Sequence, residues 1–193
     1  MGYKGPEYYD KMYLASFSGG YRGDPRQSGY YESIWLPTLM MIGKEPCELI
    51  DIGCGTGQFA ELAEEAGHNI IYGVDYSETA IELASKRIPV PFYCMDMFNH
   101  EHRQLRADTT ADVIVATEVL EHLENDLDFF ELVFPGEKVV LSVPNFMCDG
   151  HVRCFKDGME VRRRYSPLMT IEGMTIRGWR EKKWFTFWGF RRS

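Results

Sequence analysis

Residues 48–57 have the sequence ELIDIGCGTG. An apolar run ends at Asp51 and Ile52, and glycines follow at alternate positions, Gly53, Gly55 and Gly57. Glycine lets the backbone turn sharply and approach a ligand closely, because no Cβ intervenes. The next residues, GQFAELAEEAG, have the apolar spacing of an amphipathic helix. The stretch therefore predicts a strand, a ligand-binding glycine loop and a helix whose first N–H groups point towards the ligand.

The strand-then-helix pattern recurs along the chain. Ser77 is a suitable N-cap for a helix at 78–88, and the polar residues 121–134 are also predicted to be helical. Apolar strands alternating with helices indicate a parallel sheet with helices on both faces. Further strands of this sheet are predicted within residues 70–76, 92–98, 111–120 and 138–145.

The carboxyl-terminal part follows a different pattern. Residues 168–179 and 183–192 are rich in aromatic and β-branched side chains, and a charged segment joins them, which predicts an antiparallel hairpin. We expect residues 183–192 to lie antiparallel beside residues 138–145. The predicted fold class is α/β, with a seven-stranded, mostly parallel sheet, helices on both faces and a C-terminal antiparallel hairpin.

The composition is that of one globular domain. The chain has 193 residues, of which 45% are hydrophobic and 26% charged. No apolar run reaches the roughly 20 residues that cross a bilayer, and no signal peptide is evident, so we expect a cytoplasmic protein without a membrane partner. The 5 cysteines form no C-x-x-C motif, which argues against a disulfide framework or a zinc ribbon.

The charge distribution bears on possible partners. A net charge of −8 disfavours nonspecific binding to nucleic acid. A basic carboxyl-terminal region keeps that alternative open, although such charges more often form a solvated face. Its members are Arg162, Arg163, Arg164, Arg177, Arg180, Lys182, Lys183, Arg191 and Arg192.

The residues around the glycine loop distinguish between cofactors. Asp75 ends the second predicted strand, where a carboxylate can accept hydrogen bonds from both ribose hydroxyls of a nucleoside. The dinucleotide fingerprint requires glycine where this chain has Gln58, and no phosphate-binding GxxxxGK[ST] motif occurs. S-adenosyl-L-methionine has no phosphate and carries positive charge, which suits a crevice flanked by Asp51, Asp96 and Glu118. The sequence therefore predicts S-adenosyl-L-methionine and not NAD.

The DIGCGTG segment resembles the first motif of class I (Rossmann-like) S-adenosylmethionine-dependent methyltransferases, and the similarity extends from Glu48 to Phe146. The resemblance implies that the glycines wrap the methionine part, that Asp51 orients the loop and the amino group, and that Asp75 binds the ribose. The cofactor-binding residues that it implies are Asp51, Gly53, Cys54, Gly55, Gly57, Asp75, Tyr76, Asp96, Met97, Thr117 and Glu118.

The resemblance also gives roles to the later residues of that set. Asp96 would lie near the adenine amino group, the backbone of Met97 would face the ring, and Tyr76 would cover the adenosine. Thr117 and Glu118 would hold the methionine moiety near the reactive sulfur.

Residues 118–123, EVLEHL, are similar to a segment of ubiquinone-biosynthesis-type and other small-molecule methyltransferases. They also resemble the E-x-x-E-H segment of small-RNA 2′-O-methyltransferases, where two acids and two histidines bind a metal. On a helix, Glu118, Glu121 and His122 would share a face. Because only His151 follows the fifth strand, we expect no metal and treat Glu121 and His122 as structural or pocket-lining, with a direct substrate role as the alternative.

The loop after the fifth strand supplies acceptor-side candidates. SVPNF followed by GHVRCF resembles a subset of these enzymes in which this loop borders the acceptor, so His151 and Arg153 are predicted to bind it; a solvent-exposed loop is the alternative. An acceptor hydroxyl requires a general base. His151 is the first candidate for that base, His122 the second and Glu118 the third.

Residues 1–45 are predicted to form a substrate-side cap within a single domain, 1–193, of which 46–193 form the cofactor-binding core. Tyr21 and Tyr30 of this cap are predicted to contact the acceptor. Packing of the cap aromatics on the sheet is the alternative. The aromatic residues concerned are Tyr8, Tyr9, Tyr13, Phe17, Tyr21, Tyr30, Tyr31 and Trp35.

Together these features predict an enzyme that transfers a methyl group from S-adenosyl-L-methionine to an oxygen or nitrogen of a small molecule. An RNA (2′-O type) or protein methyltransferase is one alternative. A cofactor-binding protein without transferase activity is another.

Overall fold

A computed structural model describes residues 4–15 and 23–193. Seven strands of these residues form one sheet in the order β3-β2-β1-β4-β5-β7-β6. The strands are β1 (Glu48–Ile52), β2 (Asn69–Asp75), β3 (Phe92–Cys94), β4 (Val113–Thr117), β5 (Lys138–Pro144), β6 (Met169–Trp179) and β7 (Lys182–Arg191). The α-helices are α1 (Pro6–Ala15), α2 (Leu36–Ile42), α3 (Gln58–Glu65), α4 (Glu78–Arg87), α5 (His100–Ala107) and α6 (Gly158–Tyr165).

The strand pairing confirms the predicted fold class. Strands β1 to β5 pair in parallel, whereas β7 is antiparallel to both β5 and β6. The chain moves outward from β1 through β2 to β3, then returns to place β4 on the other side of β1. In open α/β sheets a ligand crevice forms at such a switch point, beyond the carboxyl ends of the strands. The glycine loop follows β1 at this point.

Apolar side chains cover both faces of the sheet. Leu49 and Ile50 are adjacent in β1 and fully buried, yet they belong to different apolar clusters because neighbouring side chains of a strand point to opposite faces. Burial of each such side chain contributes about 1.5–3 kcal/mol to folding. The sheet is therefore a rigid base for the loops at its carboxyl edge.

Residues at the helix ends fix where the helices beside the crevice begin or end. The Ser77 hydroxyl accepts a 3.1 Å hydrogen bond from the Ala80 N–H, which confirms the predicted N-cap of α4. At the end of α3, Gly67 has a φ of +93°, a conformation that favours glycine after a helix.

The prediction of a helix at 121–134 is wrong in part. Two short 3₁₀ segments, Leu120–His122 and Asp126–Leu132, occupy this region. The Arg153 guanidinium donates to the carbonyl oxygens of Leu120 and Leu123, which an α-helix would use for its own hydrogen bonds. A side chain remote in sequence thus stabilises an irregular turn in place of a helix.

Among the helices in the described part of the chain, none has the length and apolar character that a membrane crossing requires.

Candidate active site

A cavity of about 470 Å³ lies at the carboxyl ends of β1, β2 and β4. This volume is in the usual range for small-ligand sites. Its walls are the glycine loop, the residues that follow β2 and β4, helix α1 and the segment around Trp35. The predicted cofactor residues in its walls are Asp51, Gly53, Cys54, Gly55, Asp75, Tyr76, Asp96, Met97, Thr117 and Glu118.

The glycine loop has two kinds of glycine. Gly55 lines the cavity with a φ of +52°, and a Cβ there would lie 3.2 Å from the Tyr13 hydroxyl oxygen of α1. Gly57 does not line the cavity: a Cβ there would lie 3.0 Å from the Ala84 Cβ of α4. Gly55 therefore allows close approach to a ligand, and Gly57 allows close packing between the loop and α4.

Asp75 links the loop to the second strand. Its Oδ2 accepts a 3.0 Å hydrogen bond from the Gly55 N–H, and its Oδ1 accepts one of 2.9 Å from the Ser77 N–H. Burial raises the pKa of this carboxyl to about 6, although the backbone hydrogen bonds oppose the shift. Binding of the ribose by Asp75 stays a prediction.

Asp51 is 1% exposed, and its Oδ2 has no hydrogen-bond partner among the described residues. Burial, aided by the negative charge of Asp75, raises its pKa to about 7. A buried carboxylate oxygen without a partner is costly unless a ligand compensates it. Its place in the cavity wall suits a cationic group such as the amino group of a methionine moiety.

The other predicted cofactor residues at this end of the cavity make local contacts. The Asp96 carboxylate accepts a 2.8 Å hydrogen bond from the Phe98 N–H, and the Met97 carbonyl oxygen lies 2.7 Å from His102 Nδ1. The Tyr76 hydroxyl donates to the Lys4 carbonyl at 3.0 Å. This hydrogen bond therefore connects Tyr76, in the cavity wall, to the segment that precedes α1.

Five of the predicted cap aromatics line the cavity. Tyr8, Tyr9 and Tyr13 come from α1, and Tyr30 and Trp35 come from the segment before α2. Tyr31 does not line it, and Phe17 and Tyr21 lie outside the described residues. The division into a cap and a core, and the acceptor contacts of Tyr21 and Tyr30, stay predictions.

Glu118 lies in the cavity wall directly after β4, with a φ of +57°. Its Oε1 accepts a 2.9 Å hydrogen bond from the Ser142 hydroxyl and its Oε2 one of 2.8 Å from the Trp184 indole N–H. Burial raises its pKa to about 7. Sequence reasoning missed both partners, although a serine within the apolar strand β5 was a usable signal.

Glu121 is fully buried, and neither of its carboxylate oxygens has a hydrogen-bond partner in the described ranges. Burial and the negative charge of Glu118 raise its pKa well above the usual value. Because residues 120–122 form a 3₁₀ turn, the shared face that an α-helix would give Glu118, Glu121 and His122 does not occur here.

His122 and His151 meet edge to face, with their ring centroids 4.8 Å apart. His122 Nδ1 is 3.0 Å from the Gly150 carbonyl oxygen, and His151 Nδ1 is 3.1 Å from that of Phe146. His122 Nδ1 also lies 2.8 Å from the Tyr9 hydroxyl, which can donate to it or accept from it. For His151 the carbonyl oxygen can only accept, so its Nδ1 carries the proton and its Nε2 keeps a free lone pair. Burial lowers the pKa of His122 to about 4 and also lowers the pKa of His151.

Three groups here could hold a metal ion. Glu121, His122 and His151 each present one ligand atom, and these atoms all lie within 4.8 Å of one another. The expectation that the protein binds no metal therefore stays untested.

Arg153 lies outside the cavity wall. Besides Leu120 and Leu123, it donates to the Glu124 carbonyl, and its Nη1 is 3.2 Å from Asp126 Oδ1. These contacts support a structural role. Acceptor binding by Arg153 stays a prediction.

Comparisons with known proteins agree with this geometry. A family model described as a methyltransferase domain matches residues 30–193. The chain is 34% identical over 102 residues to the mitochondrial ubiquinone biosynthesis O-methyltransferase of Schizosaccharomyces pombe, covering 49% of this chain and 37% of that protein. It is 30% identical over 82 residues to the ubiquinone biosynthesis O-methyltransferase of Rickettsia felis, covering 42% and 33%. The matches thus span about a third of these relatives' length.

Solved structures share the fold. The N-methyltransferase NodS of Bradyrhizobium japonicum WM9, in complex with S-adenosyl-L-homocysteine, has a TM-score of 0.72 at 16% identity, covering 96% of this chain and 99% of that one. The magnesium protoporphyrin IX methyltransferase of Synechocystis PCC 6803, with bound S-adenosyl-L-homocysteine, has a TM-score of 0.68 at 14% identity, covering 96% and 97%. At these identities the likeness shows the fold.

Proposed function

This chain belongs to the methyltransferase domain family, and from that premise we propose that it transfers a methyl group from S-adenosyl-L-methionine to an oxygen or nitrogen of a small-molecule acceptor. Its sheet is that of the class I methyltransferases, as the sequence predicted. The observation that carries the proposal is the arrangement of Asp51, Gly55 and Asp75 around one cavity. Gly55 leaves space for a ligand because it has no side chain, and the two carboxylates can accept hydrogen bonds from a positively charged nucleoside.

In this proposal Asp51 binds the amino group of the methionine moiety, because its Oδ2 is buried and has no partner in the described chain. Asp75 binds the ribose while it holds the loop at Gly55. Asp96 and the backbone of Met97 lie on the adenine side, and Tyr76 covers the adenosine. The solved methyltransferases with bound S-adenosyl-L-homocysteine support the choice of cofactor.

Methyl transfer is an in-line displacement. The acceptor atom forms a bond to the methyl carbon, the carbon–sulfur bond breaks, and its electron pair stays on sulfur as a neutral thioether. The sulfonium is already reactive, so the protein contributes mainly by aligning the two reactants, which can supply several kcal/mol. The cavity wall at Thr117 and Glu118 provides the surface for that alignment.

A hydroxyl acceptor must also lose a proton. His151 Nε2 is the first candidate base because its lone pair is free and the residue lines the cavity. His122, which also lines the cavity, is the second. Glu118 is the third, because both of its oxygens already accept hydrogen bonds.

The acceptor proposed is small and apolar or aromatic. Tyr8, Tyr9, Tyr30 and Trp35 line the cavity and offer flat apolar surface with polar edges. The likeness to ubiquinone biosynthesis O-methyltransferases supports a phenolic acceptor class. The cytoplasmic location expected from the sequence stays part of the proposal.

The structure does not favour the RNA alternative. Several of the basic residues that kept it open are used within the fold. Arg162 donates to the Ile171 carbonyl, Arg164 pairs with Asp126, and Arg192 donates to the Ser166 carbonyl. Nucleic-acid binding depends on basic groups that are free to neutralise phosphates.

Production of S-adenosyl-L-homocysteine tests the proposal. The purified chain is incubated with S-adenosyl-L-methionine and separate sets of phenols, amines, RNA and protein. We expect acceptor-dependent product with one of the two small-molecule sets. Product with RNA or protein alone would favour the first alternative, and tight cofactor binding without product would favour a non-catalytic protein.

A further inference from the structure

We infer that the end of the β6–β7 hairpin binds the surface of an anionic lipid bilayer. The hairpin end is residues 176–183, and every one of these residues is exposed. Trp179 is 70% exposed and Ile176 is 50% exposed. Large apolar side chains at such exposure, next to basic ones, are typical of a segment that contacts a membrane interface.

The hairpin end is basic, whereas the chain as a whole is acidic. It has four basic residues and one acid, and the net charge of the whole chain is −8. The basic residues are Arg177, Arg180, Lys182 and Lys183. None of them forms an ion pair with a carboxylate of the described residues. An anionic bilayer therefore attracts this end of the molecule and repels much of the remaining surface.

Asn145 holds the backbone of the hairpin end in place. Its N–H donates to the Lys183 carbonyl at 2.9 Å, and its Oδ1 accepts a 2.7 Å hydrogen bond from the Lys183 N–H. Its Nδ2 donates to the Glu181 carbonyl at 3.0 Å. At the tip, the Arg180 guanidinium carbon lies 4.2 Å from the centroid of the Trp179 ring. The apolar and basic groups are therefore presented together on an ordered backbone, which reduces the entropy that binding costs.

The hairpin end lies at the same edge of the sheet as the cavity. Pro144 and Trp184 pair at the carboxyl end of β5, and the hairpin end extends beyond this pair. The Trp184 indole N–H donates to Glu118 in the cavity wall. The Lys182 ammonium lies 4.8 Å from the centroid of the Phe146 ring, in the loop after β5. A bilayer bound at the hairpin end would therefore lie close to the cavity.

This position suits the acceptor proposed above. Small apolar molecules concentrate in bilayers, because burial there removes apolar surface from water. A protein bound at the interface meets them at a higher local concentration. This consequence for the reaction rests on the proposed function, whereas bilayer binding itself does not. The expectation of no membrane partner came from the lack of a spanning segment, and a contact at the surface needs none.

The same basic residues also match the phosphates of RNA, but two observations favour a bilayer. Ile176 and Trp179 add apolar side chains to the surface, and phosphates do not bind these. The cavity wall contains Glu124, Asp128 and Asp149 and, among the residues that the structure describes, no lysine or arginine. An acidic wall of this kind disfavours a polyanion that would have to reach the cavity.

Vesicle binding of the full chain tests the inference. The protein is sedimented with vesicles of phosphatidylcholine alone and of phosphatidylcholine mixed with phosphatidylglycerol, at low and at high salt. We expect binding to the anionic vesicles at low salt, weaker binding at high salt and little binding to phosphatidylcholine alone. No binding to the anionic vesicles at low salt would overturn the inference. Binding of S-adenosyl-L-methionine by the same protein would show that the proposed function is unaffected by that result.

Paired charge reversals locate the contact. Arg180→Glu together with Lys183→Glu should weaken partitioning onto anionic vesicles by about 100-fold or more, because each basic residue near such a surface contributes roughly fivefold. The control is Lys44→Glu together with Lys86→Glu, which makes the same change in net charge at exposed positions outside the hairpin end. It should bind much more tightly than the hairpin variant. Equal weakening by both pairs would show that only net charge matters and would overturn the inference.

Tryptophan fluorescence gives a second measurement. Entry of Trp179 into the interface should shift the emission to shorter wavelength when anionic vesicles are added. Trp179→Phe should remove most of this shift, and Trp188→Phe, which changes a partly buried indole, should keep it. A shift that persists in Trp179→Phe would place the contact elsewhere and contradict the inference. Binding of RNA or poly-L-glutamate by a protein that does not bind the vesicles would also overturn it.

Discussion

The carboxylate of Asp75 accepts a 3.0 Å hydrogen bond from the backbone N–H of Gly55. This contact ties the end of β2 to the glycine loop after β1, so one acid both shapes the loop and faces the cavity. The two parts of the cofactor site are therefore structurally coupled, and substitution of either Asp75 or Gly55 should weaken cofactor binding.

Asp75→Ala should weaken S-adenosyl-L-methionine binding. Loss of a charged hydrogen-bond partner costs about 1.5–3 kcal/mol, which is roughly 10- to 100-fold in affinity. Calorimetric titration measures the change. Asp10→Asn is the control, because Asp10 accepts hydrogen bonds from the Ser77 hydroxyl and the Thr79 N–H but does not line the cavity. Equal affinity of Asp75→Ala and wild type would show that Asp75 does not bind the ribose.

Gly55→Val should abolish cofactor binding. The new side chain would meet the Tyr13 hydroxyl and fill the approach to the loop. Gly67→Val is a matched control: its φ is +93°, and no atom lies within 4 Å of an added Cβ. Both variants should lose about 1–2 kcal/mol of stability from the left-handed backbone. Retained binding in Gly55→Val, or its loss in Gly67→Val, would contradict the account.

Asp51→Asn should change how stability depends on pH. The pKa of Asp51 is raised from 3.8 to about 7 in the folded state. The stability that protonated Asp51 contributes is therefore full below pH about 4 and is lost as the pH rises through about 7. The variant has no titrating group at this position and does not lose that stability. The difference in unfolding free energy, variant minus wild type, should therefore be roughly 1–3 kcal/mol larger at pH 8 than at pH 4.

Urea denaturation of both proteins across that range measures the difference. Asp75, whose pKa is also raised, to about 6, titrates in both proteins and largely cancels. Parallel curves of unfolding free energy against pH for the two proteins would show that burial does not raise the pKa of Asp51 in the folded state.

His151→Ala should lower turnover by roughly 100-fold or more and leave cofactor affinity within error. The reason is that its Nε2 lone pair can accept the proton of a hydroxyl acceptor. Steady-state kinetics with an identified acceptor provide the measurement, with His100→Ala as control. Turnover at the wild-type level in His151→Ala would remove this residue from the mechanism.

Arg153→Ala should destabilise the fold and leave the acceptor KM unchanged. The variant loses the contacts to Leu120 and Glu124 and one of the ion pairs of the buried Asp126, which together cost about 1–3 kcal/mol. Arg103→Ala breaks an exposed ion pair with Glu131 and should cost less than about 1 kcal/mol. A raised acceptor KM at unchanged stability would instead support the predicted role in acceptor binding.

Much of the fold was predictable because its signals are local. The apolar runs, the N-cap at Ser77 and the glycines of the loop each depend on neighbouring residues, and the structure has them where the sequence indicated. The hairpin of β6 and β7 was predictable from its composition and from the charged segment between its strands.

The site was only partly predictable because some of its features depend on long-range contacts. The turn after β4 replaces the expected helix because Arg153 binds its carbonyl oxygens. The proximity of Glu121 and His122 to His151 follows from the pairing of β4 with β5, which no local spacing reveals. Nothing in the sequence therefore indicated that the histidine after the fifth strand lies beside Glu121 and His122.

Calorimetric titration of the wild-type chain with S-adenosyl-L-methionine, and separately with NAD, decides which cofactor the cavity binds. We expect one S-adenosyl-L-methionine per chain and no measurable binding of NAD, because Asp51 and Asp75 suit a cationic nucleoside and Gln58 replaces the glycine that a dinucleotide requires. Failure to bind S-adenosyl-L-methionine, or tighter binding of NAD, would contradict this expectation.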